Sequence, residues 1–288
     1  MFVTGAGGMV GRAVSEHCAA MGDVVSSFAH QELDISDRTS VMQTLEKDRP
    51  DFVINCAAWT DVDGCELDNE RAFAVNASGP ENLALAAREI GAGLITISTD
   101  YVFDGKKDGF YTQRDQPSPE SIYGLSKLAG ERKAQAAHAR TIIVRTGFVF
   151  GPRGTNFLST IIARARRGER FKAIHDAYGT PSYAPDLARR LRELAQLDLP
   201  GIFHVVNAGP GVSYEEFARA ALEYSGFPSL NLEIVAMDTL SRPAPRPRNS
   251  RLKCLLSEAI GLTELPFWKD SLKNFAALDL EREALARN

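Results

Sequence analysis

The chain has 288 residues, 44% of them hydrophobic, enough for a full core in one large domain or two moderate ones without disulfides or a structural metal. A net charge of −4 and a pI near 5.8 exclude bulk attraction to nucleic acid or to an anionic membrane. No run of about 18 apolar residues offers a transmembrane helix.

Phe2-Val3-Thr4 reads as the end of a strand. Gly5-Ala6-Gly7-Gly8-Met9-Val10-Gly11 follows as a glycine-rich turn, and a helical pattern runs on through Val14, Cys18 and Met21. Strand, glycine loop and helix are the context that a dinucleotide fingerprint requires. The spacing is Gly-x-x-Gly-x-x-Gly, at Gly5, Gly8 and Gly11. Such glycines permit a tight turn and let N–H groups at the helix N-terminus approach a pyrophosphate. The plainer alternative is an ordinary glycine-rich turn.

Val24 to Phe28 is the second strand. An NAD-preferring site carries a carboxylate at the end of this strand, on the ribose 2′-hydroxyl. Here stand Ser27, Phe28, Ala29 and His30, while Arg12 is placed to meet a 2′-phosphate. NADPH is therefore the expected cofactor, with NADH as the alternative. In Leu33-Asp34-Ile35, Asp34 can accept from an adenine amino group; alternatively Asp34 or Ser36 caps the helix through Val41 and Leu45.

Pro50 to Ala58 is a strand running into a small-residue turn, where Ala57 and Ala58 would let a cofactor lie close. One long helix is expected from Ala72 to Ile90, with Asn76 near its start. Gly93 to Ser98 is the next strand, with Thr99 at its mouth, and Thr141 to Arg145 is another. Strands alternating with helices predict an α/β fold with a doubly wound, Rossmann-like parallel sheet in residues 1–150.

After Gly151 the rhythm changes, and residues 151–288 are expected to form a smaller, mainly substrate-binding domain with parts returning to pack on the sheet. Asn156-Phe157 opens a helix ending in the basic run Arg164 to Arg170. Asp186 to Leu197 is helical, and Gly201 to Asn207 is a strand. Ser213 and Glu216 have the spacing of a capping box for a helix from Tyr214 to Ser225. The stretch from Arg242 to Ser250 is too proline-rich for a helix. It is either a linker or, through its arginines, a seat for a substrate diphosphate. Trp268 to Leu285 is an amphipathic helix.

The chemistry gathers between Thr96 and Lys127. Tyr123 and Lys127 are four apart and share a helix face. A free phenol has a pKa of about 10, too high for ready proton exchange near neutrality. A neighbouring ammonium is expected to lower it, making Tyr123 a general acid towards a carbonyl oxygen that Thr99 holds by a hydrogen bond. Tyr-x-x-x-Lys on its own is more often an exposed helix face. The glycine loop and Thr99 give it meaning.

Together these features resemble the extended short-chain dehydrogenase/reductase family. The strings Ser98-Thr99-Asp100-Tyr101-Val102-Phe103-Asp104-Gly105, Tyr123-Gly124-x-Ser126-Lys127, Arg145-Thr146-Gly147-Phe148-Val149-Phe150-Gly151, Asn156-Phe157, Tyr178-Gly179-Thr180-Pro181 and Arg246-Pro247-Arg248-Asn249-Ser250 look, within it, like the dTDP-4-dehydrorhamnose reductases. The resemblance implies NAD(P)H-dependent reduction of the C4 ketone of dTDP-4-dehydro-L-rhamnose, a step of cell-surface polysaccharide biosynthesis. It implies Tyr123 as proton donor, Lys127 at the nicotinamide ribose and Thr99 at the ketone. Gly8, Met9 and Val10 would meet the pyrophosphate. Asp34 and Ile35 would meet the adenine, and Ala58, Trp59 and Thr60 would flank the cofactor. Asp100, Phe148, Asn156 and Arg248 would meet the dTDP-sugar. The family often has Trp where Phe148 stands. Some members bind Mg²⁺ through interface glutamates, which this sequence does not place, so no metal is assigned. A homodimer through two helices is implied, with 72–90 and 125–139 as candidates.

Two rivals remain. A sugar-nucleotide epimerase or 4,6-dehydratase would share the fold, but a dehydratase needs a second carboxylate directly after Asp100, where Tyr101 stands. A non-catalytic NADP-binding regulatory subunit would retain the site for binding alone. The N-terminus lacks a basic stretch followed by an apolar one, so no signal peptide is expected. Cys18, Cys56, Cys65 and Cys254 have neither zinc nor disulfide spacing, as expected of free thiols in the cytoplasm.

Overall fold

Six parallel strands form the central sheet of the computed structural model, which describes residues 1–286. In chain order the first half runs β1 (Phe2–Thr4), α1 (Met9–Ala20), β2 (Ser26–Phe28), α2 (Arg38–Asp48), β3 (Phe52–Asn55), α3 (Val62–Leu67) and α4 (Asn69–Phe73). It continues through a π-helical turn (Ala74–Ser78), α5 (Gly79–Ile90), β4 (Gly93–Thr99), α6 (Ile122–Ala137) and β5 (Thr141–Thr146). The second half holds β6 (Val149–Phe150), α7 (Phe157–Arg166), β7 (Phe171–Ile174), β8 (Tyr178–Gly179), β9 (Ser182–Tyr183) and α8 (Ala184–Leu197). Then come β10 (Gly201–His204), β11 (Val212–Ser213), α9 (Tyr214–Tyr224), β12 (Leu232–Val235), α10 (Leu255–Ala259) and α11 (Trp268–Ala286).

The spatial order is β10-β5-β4-β3-β1-β2, and every pairing is parallel. Such strands are covered on both faces, which is why β3 is buried at all four positions. Phe52 and Ile54 point to the side where α1 and α8 lie, with Val14, Leu187 and Leu191. Val53 points to the other, with Leu45, Leu83 and Ala134 of α2, α5 and α6. β10 and α8, both late in the chain, thus belong to this sheet and its cover. A separate core of Phe150, Leu158, Phe217, Trp268 and Phe275 packs α7, α9 and α11 together.

The long helix expected over 72–90 is broken. α4 passes through the π-helical turn into α5, and Asn76 lies in that turn. α6 lies so close to this turn that a Cβ on Gly130 would stand 2.1 Å from the Asn76 carbonyl oxygen. The expected strand through Asn207 ends at His204, and α8 begins at Ala184 with Pro185 in its first turn, where its missing N–H costs nothing. Ser213 and Glu216 do form the capping box of α9.

The proline-rich segment is neither helix nor loose linker. Ala244 N donates to Asp63 at 3.1 Å, Asn249 Nδ2 donates to the carbonyls of Lys107 and Gly109 at 2.5 and 2.7 Å, and Ser250 N donates to Tyr178 O at 2.8 Å. It straps the loop after β4 to the second half of the chain.

Candidate active site

Polar residues stitch the sheet just below its C-terminal edge. Thr4 Oγ1 of β1 donates to Asn55 Oδ1 of β3 at 2.6 Å, and Asn55 Nδ2 donates to Thr96 of β4 at 2.9 Å. Above this lies a cleft of about 630 Å³, at the strand ends where open α/β sheets bind their ligands.

One wall is the N-terminus of α1. Gly8 is its N-cap, no side chain caps it, and its first turn carries no acidic residue. The leading N–H groups of the helix therefore face the cleft as donors, with the positive end of the helix dipole behind them. Gly8, Met9, Val10 and Gly11 line the cleft. Gly5 does not, but holds the turn: its φ is +66°, and a Cβ there would meet Ala57 N at 2.6 Å. Ala57 likewise backs the turn, while Ala58 and Thr60 face the cleft. This donor-rich cradle fits an anionic dinucleotide.

The opposite wall carries Thr99, Tyr123 and Lys127. Thr99 is the last residue of β4, and its Oγ1 lies 3.0 Å from Asp100 Oδ1. Tyr101 N donates to Thr99 Oγ1 at 3.2 Å. Tyr123 and Lys127, in the first turns of α6, line the same cleft. α6 can come this close because Gly124 lies against Tyr101 O, where a Cβ would be 2.3 Å away. Lys127 Nζ donates to Ile97 O at 2.6 Å. Burial pushes its ammonium down to about 8, against the opposing charge of Glu131. The expected lowering of the Tyr123 phenol is not found here. Burial raises it, Asp100 and Tyr101 add to the rise, and the Thr99 hydroxyl pulls it partly back. The Lys127 ammonium is directed at the Ile97 carbonyl and is not among the groups that act on the phenol. Burial pushes the Asp100 carboxyl up to about 6, against the Ser250 and Thr99 hydroxyls.

Phe148 sits with φ of +45°, its ring 4.3 Å from that of Tyr214. Gly179 makes room for it, since a Cβ there would be 2.3 Å from the ring. Asn156 lines the cleft, yet its polar atoms are committed. Oδ1 accepts from Ser159 N at 3.0 Å as the cap of α7, and Nδ2 donates to Gly151 O at 3.2 Å.

Several expected residues stand elsewhere. Arg12 Nη2 donates to Gly7 O at 3.2 Å, outside the cleft lining. Asp34 Oδ1 accepts from the Ser36 N–H and hydroxyl at 2.9 and 2.7 Å, while Asp37, not Asp34 or Ser36, caps α2. Ile35 is buried beneath Gly79. Arg248 is held by Asp176 and Asp238 and does not line the cleft. Arg153 lines the cleft itself, while Arg242 and Arg246 line a small hollow behind Tyr101, Phe148 and Tyr214. Arg242 also lines a basic groove of about 460 Å³ with Arg164, Arg170 and Lys172, next to Phe157 and Tyr214.

Sequence reasoning gave no role to Asn76. Its Oδ1 accepts from Trp59 N at 2.9 Å, and its Nδ2 donates to Trp59 O and Ser126 Oγ at 3.0 and 3.2 Å. It ties the turn after β3 to the Tyr123 helix. The signal was an amide in an otherwise apolar helical stretch. Glu32 was also overlooked: its carboxylate accepts from Ala29 N at 2.7 Å, beside the end of β2. Among the described residues, no cluster of three or more His, Cys, Asp or Glu could hold a metal ion, and no helix is long and apolar enough to cross a membrane.

A doubly wound parallel sheet with hydroxyl, phenol and ammonium gathered opposite an uncapped glycine-loop helix defines an extended short-chain dehydrogenase/reductase. A family model described as the RmlD substrate binding domain matches residues 1–280. A dTDP-4-dehydrorhamnose reductase from Mycolicibacterium smegmatis is 40% identical, over 96% of this chain and 84% of that one. The spore coat polysaccharide biosynthesis protein SpsK of Bacillus subtilis is 34% identical over 96% of each. The crystal structure of the Bacillus anthracis dTDP-4-dehydrorhamnose reductase in complex with NADP superposes with a TM-score of 0.92 at 34% identity, over 95% of this chain and 97% of that one. The chain belongs to the RmlD family.

Proposed function

We propose that this chain reduces the C4 ketone of dTDP-4-dehydro-L-rhamnose to give dTDP-L-rhamnose, for cell-surface polysaccharide biosynthesis in the cytoplasm. The observation that carries the reading is the convergence of Thr99, Tyr123 and Lys127 on one cleft, facing the open N-terminus of α1.

NADPH or NADH, when bound, supplies the hydride. The α1 N-terminus would hold the cofactor pyrophosphate, and Lys127 would hold its ribose. Thr99 orients the ketone oxygen, and the Tyr123 hydroxyl delivers a proton to it as negative charge develops there. The raised phenol pKa keeps Tyr123 protonated at neutral pH, as a donor must be. The Phe148 ring, tilted against Tyr214, supplies an apolar surface for the sugar. Arg242, with Arg164 and Arg170, supplies the positive charge for the nucleotide diphosphate in the adjoining groove. The NADP complex of the Bacillus anthracis enzyme supports NADPH, while Glu32 beside the end of β2 leaves room for NADH. An epimerase or a regulatory subunit would show no net oxidation of NAD(P)H.

The test is loss of NADPH absorbance with enzymatically prepared dTDP-4-dehydrorhamnose, with NADH in parallel and the product identified by mass and NMR. Turnover to dTDP-rhamnose is expected. Tight NADPH binding without turnover would overturn the reading.

A further inference from the structure

The hydrogen bonds around Thr99 contain a conflict. A threonine hydroxyl has one hydrogen to give and two lone pairs to receive with. Tyr101 N occupies one lone pair at 3.2 Å. Asp100 Oδ1, at 3.0 Å, is the other partner in hydrogen-bond contact, and the Tyr123 hydroxyl faces Thr99 Oγ1 as well. If Asp100 is ionised it can only accept, so the Thr99 hydrogen must point at it and cannot reach a ketone oxygen. If Asp100 is neutral, its own O–H fills the second lone pair, and the Thr99 hydrogen is released into the cleft.

The other carboxyl oxygen points the same way. Asp100 Oδ2 is closed in without a hydrogen-bond partner, pressed on Gly147, where a Cβ would stand 2.4 Å from it. The Ser250 hydroxyl nearby pulls the carboxyl pKa partly back against burial, but its hydrogen bond runs to Tyr178 O at 3.4 Å. An orphaned buried oxygen is tolerable on a neutral acid and costly on a carboxylate. The groups facing Asp100 are Tyr101 beside it, Tyr123 on α6, Tyr214 on α9 and Ser250 on the strap, with Arg242 and Arg246 beyond the tyrosines.

We propose that Asp100 is a positioning residue that works as a neutral acid. It donates its proton to Thr99 Oγ1, so that the Thr99 hydrogen is free for the ketone oxygen. Ionisation of Asp100 turns that hydrogen away and slows reduction. No proton leaves Asp100 during turnover; its protonation sets only the direction of the Thr99 hydroxyl. The inference rests on the reductase reading above. Burial holds the carboxyl near 6, so the neutral form dominates below that pH and is lost as pH rises through it.

The experiment is kcat and kcat/KM for the full chain from about pH 5 to about pH 8, for wild type, D100N, D100A and T99V. Wild type should fall by about tenfold through a limb near the Asp100 pKa, the worth of one hydrogen bond. D100N, whose amide always donates to Thr99, should turn over without that limb. D100A should be slow throughout. T99V should be slower by about a hundredfold and lack the limb. Infrared difference spectra of the substrate-free protein should show a protonated carboxyl band at the acid end that D100N lacks. A limb that survives in D100N, or a missing band, overturns the proposal. Turnover without the limb removes this inference alone. No wild-type turnover at any pH removes the reductase reading, and the infrared band still decides the state of Asp100.

Discussion

At the scale of single residues, the shared placement of Thr99, Tyr123 and Lys127 on one cleft was legible because their spacing is local. Tyr123 and Lys127 are one helical turn apart, and Thr99 ends a strand whose apolar run is plain. Their electrostatics were not legible. Spacing suggests an ammonium lowering a phenol, yet burial dominates both groups and Lys127 gives its hydrogen to Ile97 O. Two predictions follow from this difference. Tyr123→Phe should bind NADPH as the wild type does, by fluorescence titration, while losing about 10²- to 10⁴-fold in turnover. Near-normal turnover would remove Tyr123 as the donor. Lys127, with a folded pKa of about 8 against an ordinary 10.5, weighs against the apo fold below pH 8, where it must be charged while buried. That penalty is relieved as pH rises from about 8 towards the unfolded value. The stability gap between wild type and K127M should therefore shift in favour of wild type over this range, in urea midpoints taken at successive pH values. A gap independent of pH would show that Lys127 is not held low.

At the scale of elements, strands and most helices could be read because apolar runs and capping signals are written in adjacent residues. The break in the long helix could not, since it depends on Trp59, Ser126 and Gly130, all distant in sequence from Asn76. Asn76→Ala removes three hydrogen bonds and leaves Trp59 N without its acceptor, so it should lower stability by about 1–3 kcal/mol and weaken NADPH binding as the Trp59 turn loosens. An unchanged urea midpoint would contradict this. The role of the strap was also hidden. The sequence offers Arg248 to the substrate, but only the folded chain reveals Asp176 and Asp238 beside it. Arg242→Ala should raise KM for the nucleotide sugar while sparing that for NADPH, and Arg248→Ala should change KM little. The reverse ranking would return the diphosphate to Arg248. Under α6, Arg145 and Glu131 form a buried pair at 2.7 Å, 3% and 2% exposed. Glu131→Ala, which leaves the arginine unpaired, should cost about 3–5 kcal/mol in chemical denaturation. A loss below about 1 kcal/mol would show that water or another group replaces the carboxylate.

At the scale of the whole molecule, alternating strands and helices predicted the parallel sheet, and the parallel order places the glycine loop and Thr99 at the same edge of it. What joins the two halves is long-range: a β10 drawn from residues 201–204, a strap near residue 245, and Phe148 seated against Gly179. Exposed Phe73 and Leu125 lie on the adjoining helices α4 and α6, within the stretches 72–90 and 125–139 expected to carry a homodimer. Sedimentation should give a dimer that Leu125→Glu dissociates; a wild-type monomer would remove this interface. The central claim is narrower: a ketone on a dTDP-sugar takes its proton from Tyr123 in this cleft. The most direct measurement is single-turnover oxidation of bound NADPH by dTDP-4-dehydrorhamnose, in wild type and Tyr123→Phe side by side. The account predicts rapid oxidation with dTDP-rhamnose formed in the wild type, and in the variant a tightly bound cofactor that stays reduced. Equal rates in both, or a wild type that holds NADPH and leaves the ketone intact, would contradict it.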